Sequence, residues 1–228
     1  MKKIILSSVV ASLVLIGCSG GGSSAPIEKS VGHYVDSAVE GVEYNCGTFK
    51  GKTDVAGTFE YEKGKKCEFK LGELLLREVN QTILSSENVT ILEDNPRVAQ
   101  LLQTLDFDGN TTNGIKIADE LKDEINNALT DNQFFDKMPD ESKHDVKSLI
   151  KNIHDQIKAA KDDYKGKFVD IDDVKKHLED TFKDVKNQLG EQNGGTHNGG
   201  LEELRRRFDE IRHSDHNQSS PHSGYEHK

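Results

Sequence analysis

The run Asp106-Phe107-Asp108-Gly109-Asn110-Thr111-Thr112-Asn113-Gly114-Ile115 places an oxygen-bearing side chain at every second position from Asp106 to Asn110. Such alternation can turn three oxygens toward one hard cation while the intervening residues face away, and calcium suits an all-oxygen set. Asn113 is a fourth candidate ligand, and Gly109 and Gly114 permit the tight curvature that a wrap around an ion requires. The competing reading is an Asx-rich connector whose side chains cap the next helix. A second set is imidazole: five of the nine histidines, His197, His213, His216, His222 and His227, lie near the C-terminus. His213 and His216 are spaced to chelate zinc, nickel or copper loosely, although a tail of this polarity is expected to be disordered. No nucleophile elbow, H-E-x-x-H helix or phosphate-binding glycine loop occurs. Glu141, His144 and Asp145 stand together at an acidic helix start, where exposure and the helix N-terminus account for them. An enzyme is not expected.

The elements that must position these residues fall into two groups. Val31 to about Val79 reads as all-β: Val39, Val42 and Tyr44 lie beside Gly41 and Gly47, Thr58, Phe59 and Tyr61 follow a turn ending at Gly57, and Phe69 and Leu71 follow Gly64. Short strands broken by glycine-bearing turns predict a small sandwich. Val89 to Leu92 is a further strand or a packing loop. Asn95 or Asp94 then caps a helix opened by Pro96, with Val98, Leu101, Leu102 and Leu105 forming one buried stripe. Ala118 to Leu129 reads as a second helix with Leu121, Ile125 and Leu129 on one face, so the acidic loop is flanked by helices. Val146, Ile150, Ile153, Ile157, Ala160 and Tyr164 make a heptad seam. Val174, Leu178, Phe182, Val185 and Leu189 make another, on a helix that Asp170 can cap. The two are expected to form a helical hairpin, burying their stripes against each other or against the Leu101 face. The expected class is therefore α+β, a small β-sandwich followed by a helical region.

The first residues carry an address. Lys2 and Lys3 precede the apolar stretch Ile4 to Ile16, too short for a stable membrane span and followed at once by polar residues. Leu15-Ile16-Gly17-Cys18 resembles the lipobox of bacterial lipoproteins. That resemblance implies cleavage after Gly17, lipidation of Cys18 and, with Ser rather than Asp at position 19, sorting to the outer membrane, on its periplasmic or cell-surface face. Loss of residues 1–17 takes Lys2 and Lys3 from 30 basic residues and leaves 28 against 40 acidic ones, a net charge of −12. Such acidity argues against a nucleic-acid partner. With 31% charged residues and no Trp, a large buried core is not expected. The units expected are a signal peptide (1–17), a Gly/Ser tether (18–30), a β module (31–92), a helical region (93–190) with the acidic loop at 106–117, and a His-rich tail (191–228). In an exported chain Cys46 and Cys67 are expected to form a disulfide, since neither C-x-x-C spacing nor a neighbouring His favours a redox or metal pair.

Two internal stretches resemble known families. Asp36-Ser37-Ala38-Val39-Glu40-Gly41, followed by Thr53-Asp54-Val55-Ala56-Gly57-Thr58-Phe59, is similar to the D-x-x-V-x-G and T-D-x-x-G-x-F patterns of prealbumin-like modules in bacterial surface proteins. These include the B-type repeats of collagen adhesins. Leu101 to Asn110, closed by Asn113-Gly114-Ile115, resembles a segment that follows a Cys-bearing β module in uncharacterised proteobacterial surface lipoproteins. The loop itself is similar to the first half of an EF-hand, with two departures: Thr111 stands where EF-hands have Gly, and Ile117 where they have the bidentate Glu. The likeness implies a lipid-anchored, adhesin-like binding or structural component of the envelope, with an unidentified protein or envelope partner and calcium as a stabilising ion. The alternative is a periplasmic metal-binding or carrier lipoprotein using the tail histidines.

Overall fold

The computed structural model describes residues 26–131 and 145–192, with side chains through residue 187. Its two larger sheets face each other. In the first, β1 (Lys29–Val35) lies between β5 (Thr58–Glu62), antiparallel to it, and β8 (Val89–Leu92), parallel to it. The second is antiparallel, in the order β4 (Phe49–Lys52), β3 (Glu43–Cys46), β6 (Cys67–Leu71), β7 (Leu74–Val79). Alternation decides which side chains enter: Phe59 and Tyr61 of β5 and Cys67, Phe69 and Leu71 of β6 are buried, while the residues between them are not. Tyr34 stacks on Phe69 with ring centroids 4.6 Å apart, and Phe69 meets Phe59 edge-on at 4.9 Å, so aromatic rings join the sheets. Cys46 and Cys67 sit opposite each other on β3 and β6 and form the expected disulfide. Gly57 closes the turn before β5 at a φ of +71°, where an added Cβ would strike the Tyr34 carbonyl.

Among the described residues, four helices complete the α+β fold. α1 (Pro96–Thr104) begins as its sequence dictates, with the Asn95 side chain accepting from the Arg97 and Val98 amides. A two-residue strand β9 (Ile115–Lys116) pairs in parallel with β2 (Val39–Glu40) and stitches the end of the acidic loop to the β module. A 3₁₀ turn, Asp119–Leu121, leads into α2 (Lys122–Asp131); then come α3 (Val146–Ala160) and α4 (Ile171–Gln192). Asp170 accepts from the Asp172 amide at 3.4 Å at the start of α4. No helix among the described residues is long and apolar enough to cross a membrane.

Three expectations are corrected. The core is not small: one cluster of 30 buried residues runs from Tyr34 through both sheets to α1, α2 and α3. Average composition hides it because most of the few apolar side chains recur at strand and helix periods and face inward, Ile27, Val55 and Ile83 being exposed exceptions. The first heptad seam is also shorter than expected. α3 ends at Ala160, which is exposed, and Tyr164 reaches the core from the following linker instead. Finally, the stripes of α3 and α4 do not close on each other. Val146, Ile150, Ile153 and Ile157 enter the large cluster beside Leu101, whereas Val174, Leu178 and Val185 form a second one with Val35, Leu92 and Ala99. Of the two arrangements expected for the seams, α3 adopts packing with the Leu101 face, whereas α4 follows neither and lies against Ala99 on the other side of α1. The side chain of Leu189 lies outside the described residues.

Candidate functional site

α1 is buried all round, Val98 through Thr104. Its apolar stripe accounts for one face. The other carries Gln100, Gln103 and Thr104, and these are covered by the chain that follows α3 and by α4. Gln100 Nε2 donates to the Val169 carbonyl at 2.8 Å, Thr104 Oγ1 accepts from the Val169 amide at 3.2 Å, and Tyr164 Oη donates to the Thr104 carbonyl. At the C-terminal end of this interface, β1, the acidic loop and α4 converge on a group of polar side chains drawn from distant parts of the sequence.

Asp36 lies just beyond β1 and is fully buried. Gln103 Nε2 donates to its two oxygens at 3.0 and 3.3 Å, and His177 Nε2 lies 3.6 Å from Oδ1. Burial pushes the Asp36 carboxyl up to about 8, opposed by the Gln103 hydrogen bond and reinforced by Glu93. The His177 imidazole is held below its usual value, chiefly by burial. Near neutral pH both groups are therefore uncharged, and their proximity is not an ion pair. Ser37 sits in the left-handed region at a φ of +60° and donates from Oγ to the Thr111 carbonyl at 2.9 Å. His177 Nε2 lies 3.0 Å from the same hydroxyl. With the hydroxyl proton committed to Thr111, the imidazole must donate and Ser37 accept, the reverse of the polarity by which a histidine activates a serine nucleophile.

Beneath this pair, Glu93 is fully buried, accepting from Tyr34 Oη, from Arg77 at 3.3 Å and from the Asp94 and Asn95 amides at 3.0 and 2.8 Å. Every oxygen there has a partner. Burial raises its pKa, against the lowering effect of Arg77 and Tyr34.

The acidic loop lies on the other side of Ser37. Three of its four candidate ligands fall into a chain of local contacts: Asp108 Oδ1 accepts from the Asn110 amide at 2.9 Å and Oδ2 from Asn113 Nδ2 at 2.8 Å, while Asn110 Oδ1 accepts from Thr112 at 2.7 Å. Asp108, Asn110 and Asn113 are exposed. Asp106 is different. It is fully buried, with Oδ1 accepting from the Lys116 amide at 2.9 Å, but Oδ2 is shut away from water with no hydrogen-bond partner. Burial pushes this carboxyl up to about 6, opposed by the Lys116 amide and reinforced by the neighbouring Asp108 carboxylate. At neutral pH it is ionised, one oxygen unanswered and a like charge beside it. Ile117, at the EF-hand's bidentate position, is buried in the large core and supplies no oxygen. Among the described residues, no group of three or more His, Cys, Asp or Glu side chains is gathered closely enough to hold a metal ion. A site at this loop must therefore draw on amide and carbonyl oxygens beside Asp106 and Asp108.

Cys18, His213 and His216 lie outside the described residues, as do Glu141 and His144. The residues that sequence reasoning missed are Asp36, Ser37, Gln103 and His177. Two signals were present: α1 has amides where a solvated face would carry charges, and His177 interrupts the apolar stripe between Val174 and Leu178. No family model, curated protein or solved structure matches this chain.

Proposed function

We propose that this chain is a lipid-anchored protein of the bacterial envelope, carried on Cys18, whose α+β body serves as a binding or structural module and is stabilised by calcium at the acidic loop. The observation that carries the calcium is Asp106 Oδ2, a buried, unpartnered carboxylate oxygen beside Asp108. A buried ionised carboxylate with one oxygen unpartnered is costly, and a bound cation removes both that cost and the repulsion between the two carboxylates. The lipid anchor and the outer-membrane address rest on the Leu15-Ile16-Gly17-Cys18 pattern and Ser19. A non-catalytic role is supported by the Ser37 and His177 geometry, in which the serine proton is already given to a backbone carbonyl.

The test is thermal unfolding of the mature chain bearing Cys18→Ser, in chelator and then in 1 mM calcium, with magnesium as control. A ligand that binds only the folded state at a Kd of about 10 µM adds about 2.7 kcal/mol at about 1 mM. The transition should rise in calcium, and the rise should vanish in Asp106→Asn and in Asp108→Asn. An unchanged transition in the parent chain would reduce the loop to a polar connector.

A further inference from the structure

The backbone of the acidic loop is held by two other parts of the chain, the 161–170 linker and Ser37. Asp106, Asp108 and Asn110 carry the oxygens. Phe107, Gly109 and Thr111, which alternate with them, carry contacts to other elements, the first two to Lys165 beyond α3 and the third to Ser37. The Phe107 carbonyl accepts from the Lys165 amide at 2.8 Å. Gly109, at a φ of +68°, lies so close to the Lys165 carbonyl that an added Cβ would stand 2.5 Å from its oxygen. The Thr111 carbonyl accepts from Ser37, whose hydroxyl accepts in turn from His177 on α4. The peptide units between the candidate ligands are thus the ones that touch the 161–170 linker and, through Ser37, α4.

α4 is also the element able to move without opening the core. Its buried residues Val174, Leu178 and Val185 share a small cluster with Val35, Leu92 and Ala99, separate from the 30-residue core that holds the sheets, α1, α2 and α3 together. Under α4 lies Asp36, whose burial is unfavourable, so lifting the helix returns a carboxyl to water. A helix seated on this small cluster, with Ile171 and Phe182 partly buried against it, and on one reluctant carboxyl is a segment whose docking a single ligand can bias.

From this we propose that cation binding at the acidic loop and docking of α4 are coupled, so that α4 is clamped when the loop is loaded and released when it is empty. The coupling rests on the reading of the loop as a calcium site and extends it from stability to regulation. Linkage makes it reciprocal: whatever factor calcium adds to docking, docking adds to calcium affinity.

The experiment is native-state amide hydrogen exchange on the mature chain with Cys18→Ser, in chelator and in 1 mM calcium, with calcium affinity measured in parallel by calorimetry. For a site of about 10 µM, saturation can shift the opening equilibrium by up to about 100-fold. Chelation should lower protection of the 161–170 amides and of α4 by at least about tenfold, while β1, β3 and β6 hold theirs. Ser37→Gly removes the hydroxyl yet tolerates the left-handed backbone, and His177→Ala removes its partner. Both should still bind calcium, more weakly, with the α4 response flattened. Calcium binding with unchanged α4 protection would overturn the coupling and leave the site standing. A loss of protection spread evenly over strands and α4 would overturn it too, as simple global stabilisation. Absence of any calcium heat would remove the site and the coupling together.

Discussion

The two faces of α1 are buried by different means. Val98, Leu101, Leu102 and Leu105 enter a core shared with both sheets, α2 and α3, and their burial needs only the exclusion of water. Gln100, Gln103 and Thr104 on the other side are covered by the linker and α4, with hydrogen bonds to Val169 and Tyr164 of the linker and to Asp36 at the end of β1. A hydrogen bond between neutral groups adds about 1 kcal/mol at best, and leaving a buried partner unpaired costs more than that. The first face therefore supplies most of the stability. The second decides whether one helix is on or off and depends on what every polar neighbour is doing.

The largest expected effect tests the first half of that contrast. Phe69 is fully buried between Tyr34 and Phe59. Phe69→Ala should cost about 3–5 kcal/mol, the range for losing a large aromatic from a packed core. Urea unfolding followed at once by backbone and side-chain signals should show the whole described body melting earlier in one step. A loss under about 1 kcal/mol would mean that the aromatic contact between the sheets is not what holds the apolar side together.

Next in size is the disulfide. Cys46 and Cys67 are 21 positions apart and join directly opposed residues of β3 and β6. Cys46→Ser with Cys67→Ser should lower stability by roughly 3 kcal/mol on the loop-entropy account, which acts through the unfolded chain. Hydrogen exchange of α4 should keep its ratio to the strands in this double variant. If α4 is released selectively instead, the two regions are less separate than their packing indicates.

The apolar half of the molecule was legible in the sequence and the polar half was not, for a physical reason. Period-2 and period-3.6 patterns report which residues of one element face inward, and so Phe59, Tyr61, Phe69 and the Val98 to Leu105 stripe could be assigned from local spacing. The Asn95 cap, the Pro96 start, the Cys46–Cys67 pair and the acidic run are likewise local or compositional. Asp36 with Gln103 and Ser37 with His177 join residues 67 and 140 positions apart, and no periodicity reports which distant polar groups will meet. Tyr164 shows the same limit in reverse. It fits the heptad of α3 by spacing, yet the chain leaves the helix at Ala160, in the charged run Lys161-Asp162-Asp163, and delivers the ring to Thr104 by another route.

The smallest of these effects, and the most informative about the polar face, concerns Asp36 and pH. Its folded carboxyl titrates at about 8, far above the ordinary value of 3.8. Between those limits the folded chain keeps a proton that the unfolded chain has lost, so this group makes stability fall as pH rises and adds no further change above about pH 8. His177, whose pKa is depressed by burial, acts in the opposite sense: the unfolded chain takes up the proton first on acidification, so its contribution is lost as pH falls below its ordinary value of 6.5. Asp106 acts in the same sense as Asp36, but only up to about 6. Comparing Asp36→Asn with the parent largely cancels the other groups. The variant should be the more stable at pH 8, because there the folded parent must hold a proton that the unfolded chain has lost, and the gap should narrow toward pH 5. Urea unfolding at both pH values measures it. If the parent is instead the more stable at pH 8, Asp36 is ionised in place and held by Gln103 and a charged His177. The second face of α1 would then be an electrostatic latch rather than a neutral hydrogen-bonded one.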